Sequence, residues 1–300
     1  MIHLLVIDMI SSAHPKQELA LAAACLSLIS VQIGAAIAKT LFPIFGAEGV
    51  ALIRLSFSAI LLWIIFKPWR TFHADLPWKN LFIYGLVLSC MNLLIYKAFA
   101  HLSIGIAISI EVLGPLTVAM FMSKQKQDLI WGGLSLIGLI LLPLGGSHQN
   151  FSYLGMGYAL AAACCWGLYI IYGTKVAKGG GNTVAIGMLV ACLFALPFGI
   201  TDIGNILHSY WILLLCILVS LLSSTIPFLL DIFAMKKLEP KVFGILLSAS
   251  PAVSAIAAWL ILGEQLNLYQ ILGIAIIMTA CAGCSYFSYK KSGLSIQTET

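Results

Sequence analysis

The sequence predicts an all-α integral membrane protein, with ten transmembrane helices arranged as two inverted five-helix repeats. Three observations carry this. Apolar residues make up 61% of the 300 and charged residues 9%, with a mean hydropathy of +1.04, whereas a soluble domain carries about 25% charge. Apolar runs of about 20 residues, the length that crosses a bilayer core, follow one another with only short breaks. Lysine and arginine collect in alternate connections, as loops retained on the cytoplasmic side do.

The spans are expected at 19–41, 49–66, 80–100, 103–122, 129–144, 153–172, 183–201, 210–235, 242–262 and 268–287. Only His101 and Leu102 separate the third from the fourth, which requires a tight helical hairpin. Residues 1–18 open on an apolar stretch that Asp8 interrupts, without a basic n-region or a small-residue cleavage site. They read as a short cytoplasmic segment rather than a signal peptide, and 289–300 as a cytoplasmic tail.

One set of connections holds Lys16, Lys67, Arg70, Lys79, Lys124, Lys126, Lys175, Lys178, Lys236, Lys237, Lys241, Lys290 and Lys291, and the opposite set holds no Lys or Arg. The asymmetry supports an even number of spans and cytoplasmic termini. Trp69, Trp78, Trp131 and Trp211 suit interfacial anchors.

The chain also repeats. Leu21-Ala-Ala-Ala-Cys25 recurs as Leu160-Ala-Ala-Ala-Cys164. At the same offset Gly34 matches Gly173, Ala38-Lys39 matches Ala177-Lys178, and Gly105-Ile106 with Ser109 matches Gly244-Ile245 with Ser248. A duplication into 19–146 and 152–288 follows. Five spans per half is an odd number, so the second copy enters the membrane from the opposite side, the arrangement of secondary transporters.

Several function classes are disfavoured. The net charge of +5 is spread over helix ends and forms no run suited to nucleic acid. All eight cysteines fall in apolar runs as packing residues, and Cys281-Ala-Gly-Cys284 has neither a second cysteine pair nor a nearby histidine to make a metal site. No cofactor or metal is expected. His3, His14, His73, His101, His148 and His208 all lie outside the depth of a span, and neither an H-E-x-x-H nor a G-x-S-x-G motif occurs, so an intramembrane enzyme is not expected. A Gly-rich phosphate loop for direct ATP drive is absent from the sequence. A passive channel remains the competing reading.

The residues resemble the drug/metabolite transporter superfamily, EamA type, over 19–287, and within it the RhtA threonine and homoserine exporter family. The resemblance is carried in the first half by Gly34-Ala-Ala-Ile-Ala-Lys39 with Leu41-Phe-Pro43, Ala51-Leu-Ile-Arg-Leu55, Phe66-Lys-Pro-Trp-Arg70, Tyr84-Gly85, Met91-Asn92, Gly105-Ile-Ala107, Glu111, Gly114-Pro115 and Leu141-Leu-Pro-Leu-Gly145. The second half adds Ala163-Cys-Cys-Trp166, Thr183-Val-Ala-Ile-Gly187, Phe243-Gly244, Ser250-Pro-Ala252 and Leu262-Gly-Glu264. It implies an inner-membrane carrier with a central cavity, exporting a small metabolite such as threonine or homoserine. Other cargo known in the superfamily, such as aromatic amino acids, nucleotide-derived compounds or drugs, is the alternative. Where such relatives often place Glu before the second-half proline, this chain has Ser250, which leaves Glu111 as the sole carboxylate of that kind.

Ionisable groups inside spans are expensive, about 2.5–3.5 kcal/mol at a helix centre on insertion scales, so each is a functional candidate. Glu111 lies about eight residues inside the fourth span, roughly 12 Å deep at 1.5 Å per residue and near the midplane. Arg54 and Lys97 lie on neighbouring spans, and either could partner it. A purely structural ion pair is the plain alternative. An amino acid needs an acceptor for its ammonium and a cation for its carboxylate, and Glu111 with Arg54 or Lys97 offers both. Glu111 is also the expected proton-coupling group, exchanging a proton as substrate leaves. Lys39 and Glu48, at the outer ends of their helices, read as anchors, and Asp231 as a structural partner of Lys236.

Asn92 with Tyr96, and Trp166 with Tyr169, share helix faces, and with Gln32, Ser109 and Ser250 they are candidate cavity residues. For each of these polar side chains, ordinary helix-to-helix hydrogen bonding is the competing role. Pro115 and Pro251, at nearly corresponding places in spans four and nine, are expected to loosen both helices and serve as hinges. The expected partners are a small-molecule substrate, the lipid bilayer and protons, with a monomer sufficient for the pathway.

Overall fold

The computed structural model describes residues 15–70, 77–123, 128–144, 151–176, 180–200, 210–235, 237–238 and 240–297. These form thirteen α-helices: α1 (Pro15–Thr40), α2 (Phe42–Phe66), α3 (Trp78–His101), α4 (Ile104–Glu111), α5 (Leu113–Ser123), α6 (Asp128–Leu141), α7 (Tyr153–Val176), α8 (Gly180–Gly199), α9 (Tyr210–Ser220), α10 (Ile226–Met235), α11 (Pro240–Leu247), α12 (Ser250–Leu262) and α13 (Leu268–Gln297). Three pairs are single spans interrupted midway: α4–α5, α9–α10 and α11–α12. Nine stretches among the described residues are long and apolar enough to cross a membrane. The tenth, α6, has 14 residues. It stops short of the expected 144 because Pro143 cannot continue the helix.

Other boundaries shift for local reasons. Helix α2 begins at Phe42 rather than 49, with a break at Gly46 (φ 64°, ψ 171°), a left-handed conformation that favours glycine. Helix α13 runs past 287 to Gln297. Most of the N-terminal segment, and loop cations including Lys124, Lys126, Lys178 and Lys236, lie outside the described residues.

The breaks come where the sequence removes or rearranges backbone hydrogen bonds. Span four is interrupted at Val112, three residues before Pro115, and span nine at Ser248–Ala249, just before Pro251. Pro227 lacks an N–H, and the turns before it widen into a π segment over Leu221–Thr225. Hydroxyls of α1 reach across to this stretch: Ser30 Oγ donates to Leu222 O (2.7 Å) and Ser27 Oγ to Pro227 O (3.2 Å). In hydrocarbon a loosened carbonyl needs such a partner inside the protein.

Packing follows membrane rules. Large apolar side chains point outward all round the molecule, Phe121, Tyr153, Trp211, Leu129 and Leu260 among them, a surface that only lipid solvates well. Trp69, Trp78 and Trp211 are exposed, whereas Trp131 lies against Gly283. Inside, small residues let helices approach closely. Helix α3 packs on α7 and α8, α2 on α8, α1 on α10 and α12, and α13 on α6. Helices α4 and α12 also pack together, where a Cβ on Gly105 would come 2.8 Å from Ala255 Cβ. Their continuations part company: α5 lies on α7 and α13, and α11 mainly on α13.

A Cβ at Gly114 would overlap the carbonyl oxygen of Ala163, so the α5–α7 seam needs glycine, whereas nothing lies within 4 Å of a Cβ at Gly133. Gly114→Val should therefore destabilise the protein by about 1–3 kcal/mol or more, and Gly133→Ala should match or exceed wild-type stability. Thermal unfolding of the two variants in detergent checks this pair of outcomes.

Candidate functional site

The α3–α4 turn, the C-terminal ends of α1 and α12 and the start of α2 lie at one end of the bundle, which we call distal. Helix α3 ends at His101, Leu102 is extended (φ −132°, ψ 161°), and α4 starts at Ile104. Such a turn leaves carbonyls unpaired at one helix end and N–H groups at the next. Lys39 Nζ donates to Leu102 O (2.8 Å), and Ile104 N–H donates to Glu264 Oε2 (2.9 Å). Lys39 and Glu264 are themselves joined, Nζ to Oε1 at 2.7 Å. The carboxylate thus caps the positive end of the α4 dipole. Glu264 is placed for this by Gly263, whose left-handed conformation (φ 67°) ends α12 and turns the chain back.

A second ion pair lies near the same end. Lys97 Nζ and Glu48 Oε1 are 2.9 Å apart, each side chain about one-third exposed, and Lys97 sits 5.7 Å from the Tyr158 ring centroid. The sequence reading offered Lys97 as a partner for Glu111; the structure gives it to Glu48. Glu48, read as an anchor, is the acceptor.

Deeper in the bundle the candidates behave differently. Glu111 is buried, and among the described residues it joins neither salt bridge. Arg54 lies within electrostatic range of it. Arg54 places its guanidinium carbon 5.0 Å from the Tyr96 ring centroid, within cation–π range. Tyr96 is wedged by Phe42 and Phe99, at centroid separations of 5.9 and 5.5 Å. Arg54 Nε, the Tyr96 hydroxyl and Gln32 Oε1 are all buried without a hydrogen-bond partner. Unmatched groups of this kind destabilise a folded protein unless something else satisfies them.

The remaining candidates are committed elsewhere. Asn92 Nδ2 donates to Leu88 O (2.7 Å), Ser109 Oγ to Gly105 O (2.6 Å) and Ser250 Oγ to Leu247 O (2.5 Å), each within its own span. The Tyr169 hydroxyl accepts from that of Tyr84 at 2.9 Å, and the two rings stack at 4.9 Å. Trp166 is half-buried at the edge of the core. Asp231 lies on α10, and its expected partner Lys236 lies outside the described residues. Pro115 and Pro251 stand beside two of the three mid-span breaks, those of spans four and nine.

The sequence reading missed Glu264 as part of any site. A signal was present: the distal connections hold no Lys or Arg, so the cations near that end, Lys39 and Lys97, stand against two nearby carboxylates, Glu264 and Glu48.

Ser30 and Tyr96 provide a contrast between structural and unmatched polarity. Ser30→Ala strips a partner from Leu222 O and should cost about 1–3 kcal/mol, whereas Tyr96→Phe removes an unsatisfied hydroxyl and should leave stability unchanged or slightly raised. Unfolding temperatures of both variants in one detergent give the comparison.

Residues 153–286 match the model of the EamA-like transporter family. The chain is 39% identical over 260 residues to the threonine/homoserine exporter RhtA of Salmonella typhimurium (strain SL1344), covering 86% of this chain and 88% of that one. It is 37% identical over 268 residues to the threonine/homoserine exporter RhtA of Escherichia coli (strain K12), covering 89% and 91%. A solved structure described only as "Crystal structure of protein" aligns over 90% of this chain and 97% of that chain, with a TM-score of 0.58 and 16% identity, which shows a shared fold. The apolar helices, the interrupted spans and similarity of this extent place the chain in the EamA-like transporter family, as an RhtA-like multi-pass membrane protein.

Proposed function

We propose that the protein is a secondary carrier of the bacterial inner membrane that exports small amino acids, threonine and homoserine first among them, by alternating access. The observation that carries this reading is the unmatched set around Arg54. A cation, a carboxylate that forms no salt bridge with it, and the buried Tyr96 hydroxyl without a partner are what a zwitterionic amino acid would complete. Its carboxylate would accept from Arg54, its ammonium would donate to Glu111, and a side-chain hydroxyl would suit Tyr96. The relatives are named as threonine/homoserine exporters, and their family is one of transporters rather than enzymes.

In this reading the Lys- and Arg-rich end, with both termini, faces the cytoplasm, and the distal end faces outward. Residues 19–146 and 152–288 act as the two inverted repeats, and one chain suffices. The conformation described is closed outside, where Lys39, Glu264 and the α4–α12 seam bridge the halves. Toward the cytoplasm α5 packs on α7 and α13, and α11 mainly on α13, so the α4–α12 seam does not continue there, which favours an inward-facing state. Rocking about the breaks near Pro115 and Pro251 would exchange the two states. Glu111 is the group through which a proton would be exchanged for substrate.

Transport by purified protein in liposomes tests this reading. Wild type should move labelled threonine or homoserine saturably and faster under an imposed pH gradient, and Glu111→Gln should lose the gradient response together with at least tenfold of the rate. Flux that rises linearly with concentration would instead favour a channel, and full pH-driven transport by Glu111→Gln would remove that residue from coupling.

A further inference from the structure

At the distal end a cavity of about 210 Å³ is lined by Lys39, His101, Leu102, Ser103, Glu264 and their neighbours. We propose that it is a second recognition site, separate from Arg54 and Glu111, for a zwitterionic α-amino acid on its way out or arriving from outside. The inference rests on the carrier reading above and adds a site to it.

The hydrogen bonds are arranged for exchange. Glu264 uses Oε2 to hold Ile104 N–H and Oε1 to hold Lys39; Lys39 uses one N–H for Leu102 O and another for Glu264. Each charged group therefore keeps a backbone bond that fixes its position and has one bond, the 2.7 Å contact between them, that a ligand can replace. A ligand carboxylate accepts from Lys39 and its ammonium donates to Glu264 Oε1. Charge is conserved, since a neutral molecule with two poles replaces an ion pair pole for pole. Ser103, in the cavity wall, has its Oγ buried without a hydrogen-bond partner, and rotation about χ1 to another staggered rotamer would present it to the ligand. The cavity has room for several water-sized groups, the scale of a four-carbon amino acid. An anion or a cation alone would leave one of the two charges unmatched, which is the basis of selectivity.

The ion pair is also part of the distal closure, tying α1, the α3–α4 turn and the end of α12 together. Occupancy by a zwitterion loosens that tie, so external amino acid acts on the transport cycle.

Cells loaded with labelled homoserine test the proposal when its efflux is followed against increasing external unlabelled threonine. Wild type should show a saturable change in efflux rate. Lys39→Met and Glu264→Gln should raise the half-maximal external concentration at least tenfold. Ser103→Ala, which leaves the ion pair in place, should raise it by about threefold to tenfold, the loss of one hydrogen bond. N-acetylthreonine and threonine amide, each missing one pole, should have no effect at the same concentrations. Efflux that ignores external threonine, an unchanged half-maximal concentration in all three variants, or equal action of the one-pole analogues would overturn the site while leaving export intact. Absence of homoserine efflux from wild type, with the protein present in the membrane, would instead overturn the carrier reading, and the second site with it.

Discussion

In hydrocarbon, a charge or an open backbone group must find its partner within the protein, and the bond network of Lys39 and Glu264 shows how much follows from that constraint. The tight turn between α3 and α4 opens a carbonyl at Leu102 and an N–H at Ile104. Each is answered by a side chain from another part of the chain, Lys39 from the first span and Glu264 from beyond the ninth. One ion pair therefore satisfies two helix ends and joins the two halves of the molecule. Without it, Leu102 O and Ile104 N–H would depend on water at the distal end.

The same constraint gives meaning to the places where it is not met. Around Arg54 the protein buries polar atoms and supplies nothing to bond them, although serines of α1 reach carefully to the loosened carbonyls near Pro227. The proposed carrier reading takes Arg54, Tyr96 and Glu111 as the groups that a substrate would complete. Breaks in spans four and nine and a closure at the distal end fit that proposal. Because the breaks release helix segments from one another, α4 can stay on α12 while α5 and α11 hold to other helices.

Much of the architecture was legible in the sequence because the bilayer imposes so few solutions. Run lengths and the His101–Leu102 turn reflect helix length and backbone bonding, which are local or nearly so. Glu111 and Arg54 stood out for the same reason, as charges at depth. What the sequence hid was partnership. Lys97 could have served Glu111 or Glu48, and only the packing of α2 against α3 decides for Glu48. Tyr169 reads as a cavity residue until the stacked Tyr84 ring is seen. Glu264 lies 225 residues from Lys39, and its position depends on the left-handed turn at Gly263, so composition and spacing could not join the two.

Threonine binding to the purified protein tests the central claim, that Arg54 and Glu111 are completed by substrate. A ligand that binds only the folded state raises the unfolding temperature with its concentration. The account predicts that threonine stabilises wild type and Lys97→Met alike in detergent, and stabilises Arg54→Met and Glu111→Gln much less, since only the distal cavity is left to bind it. A shift of wild-type size in both of those variants would contradict it.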